Sequence, residues 1–146
     1  MFRGSAPAKI DESGRLKVPT DFRRVLVDRY GPEVFVTSIV GTSTLLYPLS
    51  VWDKIEKRLA SLPSTHRARK RFVERVSYYG QQARLDAQGR IVIPQLLRES
   101  AEMSGDVLVF GSLDHLEIWN RELFESRLQA EPFTDDDFEL LSESGI

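Results

Sequence analysis

The sequence predicts an α+β protein with a mainly β core, made of two ββαββα halves joined by a basic helix. Three observations carry that reading. The stretch DESGRLKVP, Asp11 to Pro19, returns 75 positions later as DAQGRIVIP, Asp86 to Pro94, with Asp, Gly, Arg and Pro at identical spacing. Each copy is followed by a short apolar-faced helix and then by two segments rich in β-branched and aromatic residues. Between the copies, Ser64 to Gly80 has helical periodicity and a run of arginines. The chain divides accordingly into a first half over 5–62, a connecting helix over 63–80, a second half over 81–129 and an acidic tail over 130–146.

Each repeated motif encodes a hairpin followed by a helix start. The carboxylates of Asp11 and Asp86 can accept backbone N–H groups just ahead of them, and Gly14 and Gly89 tolerate the positive φ that chain reversal demands. These four residues are the structural turn. Strands are predicted over 7–11 and 15–18, and again near 82–86 and 90–93. Pro19 and Pro94 cannot donate to a ladder, so they end the return strands and begin helices.

The first of those helices, Thr20 to Val27, carries Phe22, Val25 and Leu26 on one face and is broken by Gly31-Pro32. Glu33 to Ile39 and Thr44 to Tyr47 read as a strand pair around Gly41. Ser50 to Asp53 has the form of a capping box opening a helix with Trp52, Ile55 and Leu59 at helical spacing. In the second half the order repeats: a helix over Gln95 to Met103, strands at Val107–Phe110 and His115–Trp119, and a helix capped by Asn120 with Leu123, Phe124 and Leu128. In the connecting helix Ala68, Phe72, Val76 and Tyr79 form a stripe, and Gly80 is the expected C-cap. From Glu131 onward the chain reads as a short helix or an untethered tail.

Composition narrows the function classes. There are no cysteines, hence no disulfide framework and no thiolate metal site. The N-terminal residues lack the apolar run of a signal peptide, and no stretch approaches the roughly 20 residues of a spanning helix, which points to a soluble cytoplasmic protein. Net charge is −2, but residues 1–90 hold 17 Lys+Arg and 9 Asp+Glu, while residues 91–146 hold 3 and 13. One part of the chain could therefore face phosphates while the other stays away from them; mutual attraction of the two parts would give the same imbalance.

Chemistry points to binding rather than catalysis. D-x-x-G occurs in nucleotide hydrolases, yet no Gly precedes a Lys, so a P-loop is missing. His66 and His115 have no metal-ligand or triad spacing and read as surface residues. The run Asp135 to Asp137 lacks the later Glu and turn Gly of a calcium loop. Trp52 and Trp119 read as packing residues. A two-stranded ribbon, by contrast, fits the DNA major groove, and an Arg near its tip can pair with guanine, discriminating by roughly 1–3 kcal/mol. Arg15 and Arg90 occupy that place; Arg3, Lys9, Lys17, Arg23 and Arg24 could hold phosphates. The plainer alternative is that Arg15 and Arg90 pair with their own turn Asp.

The opening MFRG, the two D-x-x-G-R motifs, LLYPLSVWDKIEKRL and IPQLLRESA together resemble the MraZ family of bacterial transcriptional regulators, built from two SpoVT/AbrB-type halves, over about residues 1–128. That resemblance implies a swapped-hairpin, double-split β-barrel in which the halves interleave as a pseudo-dimer. It also implies assembly into a homo-oligomeric ring and binding of double-stranded DNA at repeated promoter boxes. The expected role is regulation, as a repressor, of its own promoter and of the cell-division and cell-wall gene cluster, in a nucleoid-associated location. Neither a cofactor nor a small-molecule ligand is implied. In the family the Arg of the first turn contacts DNA, which is Arg15 here; Arg90 is its counterpart, in a hairpin with Val92 where the first has Lys17. A swapped-hairpin interaction module of the antitoxin type, binding a basic protein through its acidic tail, is the competing reading.

Overall fold

The two D-x-x-G-R motifs fold as the same hairpin, and each hairpin is built into the sheet of the other half. The computed structural model describes residues 1–146. The first half runs β1 (Ser5–Ile10), β2 (Arg15–Lys17), α1 (Thr20–Arg29), β3 (Glu33–Thr37), β4 (Thr44–Pro48) and α2 (Leu49–Ala60), followed by the connecting helix α3 (Arg67–Tyr78). The second half runs β5 (Gln81–Arg84), β6 (Arg90–Val92), α4 (Gln95–Ser100), β7 (Gly105–Gly111), β8 (Leu116–Asn120) and α5 (Arg121–Ala130), and α6 (Asp135–Ser142) ends the chain.

The eight strands form one sheet in the order β5-β3-β4-β8-β7-β1-β2-β6, antiparallel throughout. Its two ends meet through the second turn, where the Asp86 N–H donates to the Arg90 carbonyl at 3.0 Å, so the sheet curls into a nearly closed barrel. β1 pairs along its length with β7, from Ser5 opposite Phe110 to Ile10 opposite Gly105. In return β5 pairs with β3, from Gln81 opposite Val36 to Arg84 opposite Glu33. This is the swapped-hairpin barrel that the resemblance implied. The exchange has a physical reason: either half alone would leave long strand edges unpaired and a core too small to be stable, and interleaving removes both defects.

Apolar residues at matching repeat positions fill the barrel: Leu16, Val18, Phe22 and Leu26 from the first half meet Ile91, Ile93 and Leu97 from the second, all buried. Phe2 is also buried, stacked near Tyr30 at 6.0 Å between ring centroids, which anchors the N-terminus. A smaller cluster of Leu45, Tyr47, Trp52 and Val76 fixes α2 and α3 to the outside of β3 and β4, with Phe35 stacked on Trp52 at 4.7 Å.

Local expectations are corrected at three places. The helix α2 does not start in a capping box at Ser50: Pro48 is the N-cap, and Ser50 lies within the first turn. Pro19, Pro48 and Pro94 share this role with φ of −52°, −54° and −54° and ψ of 140°, 137° and 140°. The ring fixes φ where strand backbone must hand over to helix, so no side-chain cap is used. Gly80 does not cap α3 through a left-handed turn, since the C-cap is Tyr79. A glycine is required there by crowding, because a Cβ would lie 2.2 Å from the Val76 carbonyl oxygen and 2.5 Å from the Phe35 ring. α4 stops at Ser100, short of Met103, because Glu102 turns to φ 52° and sends Met103 into the core. The tail forms a helix, α6, with a complete capping box between Thr134 and Asp137. No helix is long and apolar enough to cross a membrane.

Candidate nucleic-acid interface

In each turn a single carboxylate oxygen organises the backbone. Asp11 Oδ1 accepts from the N–H groups of Ser13 and Arg15, both at 2.9 Å, and Asp86 Oδ1 accepts from those of Gln88 and Arg90 at 2.9 and 2.8 Å. Gly14 and Gly89 take φ of +81° and +74°, the left-handed conformation that the reversal needs. The turns are then locked to each other. The Val18 N–H donates to the Gly89 carbonyl at 3.0 Å, and the Ile93 N–H donates to the Gly14 carbonyl at 2.9 Å.

Between the turns β2 lies antiparallel to β6, with Arg15 opposite Val92, Leu16 opposite Ile91 and Lys17 opposite Arg90. Strand alternation places Leu16 and Ile91 in the core, so Arg15, Lys17, Arg90 and Val92 stand on the outer face. A pseudo-two-fold axis passes through this pair, exchanging Arg15 with Arg90 and Lys17 with Val92. Arg15, Arg84, Asp86 and Arg90 line one shallow recess, in which Arg90 pairs with Asp86 and Arg84 pairs with Glu33.

The exchange is not exact in its electrostatics. Arg90 Nε donates to Asp86 Oδ2 at 2.9 Å, and both side chains are only about a third exposed. The backbone N–H of Arg90 is the main cause, with the Arg90 side chain and the Gln88 N–H assisting, that holds the Asp86 carboxyl below its ordinary value. Arg15, Lys17 and Arg3 enter no ion pair, and Arg15 is exposed. The pairing alternative thus describes Arg90 and not Arg15. Lys9 stands opposite Asp106 on β7 at 3.9 Å, both highly exposed, a contact of about 0–1 kcal/mol. Arg3 is set apart from the others. Phe2 bridges to Leu113 at the far end of β1, so the six residues of β1, about 20 Å, separate Arg3 from the Asp11 turn.

Two further arginines hold the turns from behind. The guanidinium of Arg23 donates to the Ala87 carbonyl at 3.1 Å, and a Cβ on Gly89 would fall 2.5 Å from its Cδ. Arg98 backs the first turn by packing: a Cβ on Gly14 would fall 2.6 Å from its Cζ, while its Nε donates to the Ile93 carbonyl of its own half at 3.0 Å. Arg23, expected on phosphate, is therefore part of the clamp. Reading the sequence missed Arg98, although the signal is present: Arg23 and Arg98 each follow the motif proline by four residues and are 75 apart, so the repeat is longer than the nine residues that first show it.

The remaining polar candidates are placed elsewhere. His66 is the N-cap of α3, its Nδ1 accepting from the Arg69 N–H at 3.2 Å. His115 is not a plain surface residue, since its ring stacks on Tyr47 at 4.3 Å. Trp52 and Trp119 are buried, leaving no exposed indole face for a base. On α3, Arg69 donates to the Leu62 carbonyl and Arg75 to the Arg71 carbonyl. No group of three His, Asp or Glu side chains is arranged to hold a metal.

A barrel made by exchanging hairpins between two halves of one chain, with a cationic turn pair on its axis, places the protein in the class of swapped-hairpin β-barrels. The profile of the family described as "MraZ protein, putative antitoxin-like" matches residues 1–75 and 80–142. The chain is 47% identical over 146 residues to the transcriptional regulator MraZ of Acidobacterium capsulatum and 44% identical over 147 residues to that of Koribacter versatilis, covering all of each chain. Against the transcriptional regulator MraZ of Syntrophobacter fumaroxidans it is 34% identical over 130 residues, 89% of this chain and 86% of the relative. The chain belongs to the MraZ family and is a transcriptional regulator.

Proposed function

We propose that this regulator binds double-stranded DNA through the outer face of β2 and β6, reading repeated promoter boxes as a multimeric ring, and represses its own promoter and the cell-division and cell-wall genes beside it. The observation that carries the reading is the exposed Arg15 guanidinium, free of any ion pair and flanked by Lys17 and Arg90 on the outer face of β2 and β6. Arg15 is the base reader, Lys17 and Lys9 position the backbone, and Arg90, tethered to Asp86, contributes less. Arg3 reaches only DNA that extends along the barrel. Localisation to the nucleoid follows from such binding.

The test is a gel-shift series with DNA upstream of the protein's own gene at several salt concentrations. Specific retardation whose affinity falls steeply with salt supports the proposal. Equal affinity for unrelated DNA removes it. A second reading has one observation in its favour: α6 is acidic and buries no residue, as a segment binding a basic protein partner would be.

A further inference from the structure

The pseudo-two-fold axis makes α6 the counterpart of α3, and the two behave oppositely. In the first half α2 is followed by α3, which returns to the barrel and buries Val76 over the Phe35–Trp52 stack. In the second half α5 is followed by α6, yet neither helix buries a single residue. Phe133, Phe138 and Leu141 remain 59%, 62% and 37% exposed, although Phe138 and Leu141 share one face and Phe133 packs edge-on against Phe138. The two helices also differ in charge. Residues 131–146 hold six acidic side chains and no Lys or Arg, and the two cations of α5 are already paired, Arg121 with Glu125 and Arg127 with Glu131.

An apolar groove bordered by a basic helix lies in the first half. It runs between α2 and α3 and is lined by Phe35, Trp52, Leu59, Val73 and Val76, with Arg69 at its edge and Glu56 as its one carboxylate. α3 itself carries five Lys or Arg residues and one acidic residue, and Val73 is 38% exposed.

We infer that α6 of one copy docks in the α2–α3 groove of a second copy, Phe138 and Leu141 entering the groove while the acidic side chains face α3. Groove and helix are different surfaces on different halves, so the contact is heterologous, the kind that repeats head to tail and gives a ring when the rotation between copies closes. One short helix gives a weak contact; closure makes the contacts mutually reinforcing. The surfaces flank the pseudo-two-fold axis, whereas β2 and β6 lie on it across the barrel from β4 and β8, so docking leaves Arg15 uncovered. The inference deepens the multimer proposed above and does not depend on DNA binding.

Two full-length variants test it by light scattering at micromolar concentration, with circular dichroism as the folding control. Arg69→Glu with Lys70→Glu makes the groove acidic; Asp135→Lys with Asp136→Lys makes the helix basic and spares the Thr134–Asp137 capping box. Each variant alone is expected to lose the parent's multimer. An equimolar mixture is expected to regain it, because every acidic groove then meets a basic helix and every basic groove an acidic one. Single variants with the parent's mass, or a mixture that stays dissociated, overturn the inference while the multimer itself stands. A monomeric parent overturns both. A parent multimer indifferent to these changes, with α6 instead retaining a basic protein, identifies the partner-binding alternative.

Discussion

The guanidinium of Arg23 reaches 64 residues along the chain to donate to the carbonyl of Ala87, and so ties the helix after one turn to the backbone of the other turn. Arg98 packs its guanidinium beneath Gly14 of the first turn but donates to the Ile93 carbonyl of its own half. These side chains add to the Val18–Gly89 and Ile93–Gly14 backbone hydrogen bonds that already join the two turns, and each added contact leaves the turns less free to fray. The clamp links the sequence repeat to the rigidity of the face that carries Arg15.

Arg23→Ala and Arg98→Ala should each lower stability by up to about 1.5–3 kcal/mol, the range for a hydrogen bond with a charged donor. Urea unfolding measures it. Under conditions where the variants are fully folded, salt dependence of DNA binding should stay at the parent's slope. A reduced slope with unchanged stability would return Arg23 to the phosphate backbone.

The hydrogen bonds that Asp86 accepts, from the Arg90 backbone N–H foremost and then from the Arg90 side chain, predict a pH signature. Asp86 titrates below its ordinary value of 3.8 in the folded chain, so its contribution to stability is present above that pH and is lost as pH falls through the depressed folded value. Asp86→Asn keeps an oxygen for the backbone N–H groups and loses the pairing with Arg90. The variant should be less stable than the parent at neutral pH, and the difference should shrink as pH drops below about 4. A gap that is constant across that range would show that the carboxylate charge contributes nothing.

Much of this architecture is legible in the sequence because its determinants are local. Asp11, Gly14 and Pro19 set dihedrals and nearby hydrogen bonds, and writing them twice exposes the repeat. What is not legible is pairing at a distance. Nothing in SAPAKI states that it lies against the GDVLVFG of the other half rather than against its own EVFVT. Ser50 misleads because the capping signature ignores Pro48, which already supplies the N-cap backbone. Arg15 and Arg90 look equivalent in the sequence; only the folded turn shows that one is tethered and the other is not.

That difference yields the prediction on which the function rests. A tethered guanidinium must give up its carboxylate before it can meet a base, and the loss offsets part of what the new contact contributes. Arg15 has no such cost. Arg15→Ala should therefore abolish specific operator binding, with roughly 1–3 kcal/mol lost per contact and the loss multiplied over the boxes a multimer engages together. Arg90→Ala should weaken operator binding less, and should also destabilise the second turn by freeing Asp86. Fluorescence anisotropy with operator DNA measures the first effect, while circular dichroism and size-exclusion elution establish that fold and assembly are retained. The double variant Arg90→Ala with Val92→Lys, which gives the second hairpin a cation matching Lys17, should regain affinity relative to Arg90→Ala alone if that face lies on phosphate. If Arg15→Ala binds its operator as tightly as the parent, the outer face of β2 is not the reader, and the DNA contact belongs to another basic surface, of which α3 is the first to examine.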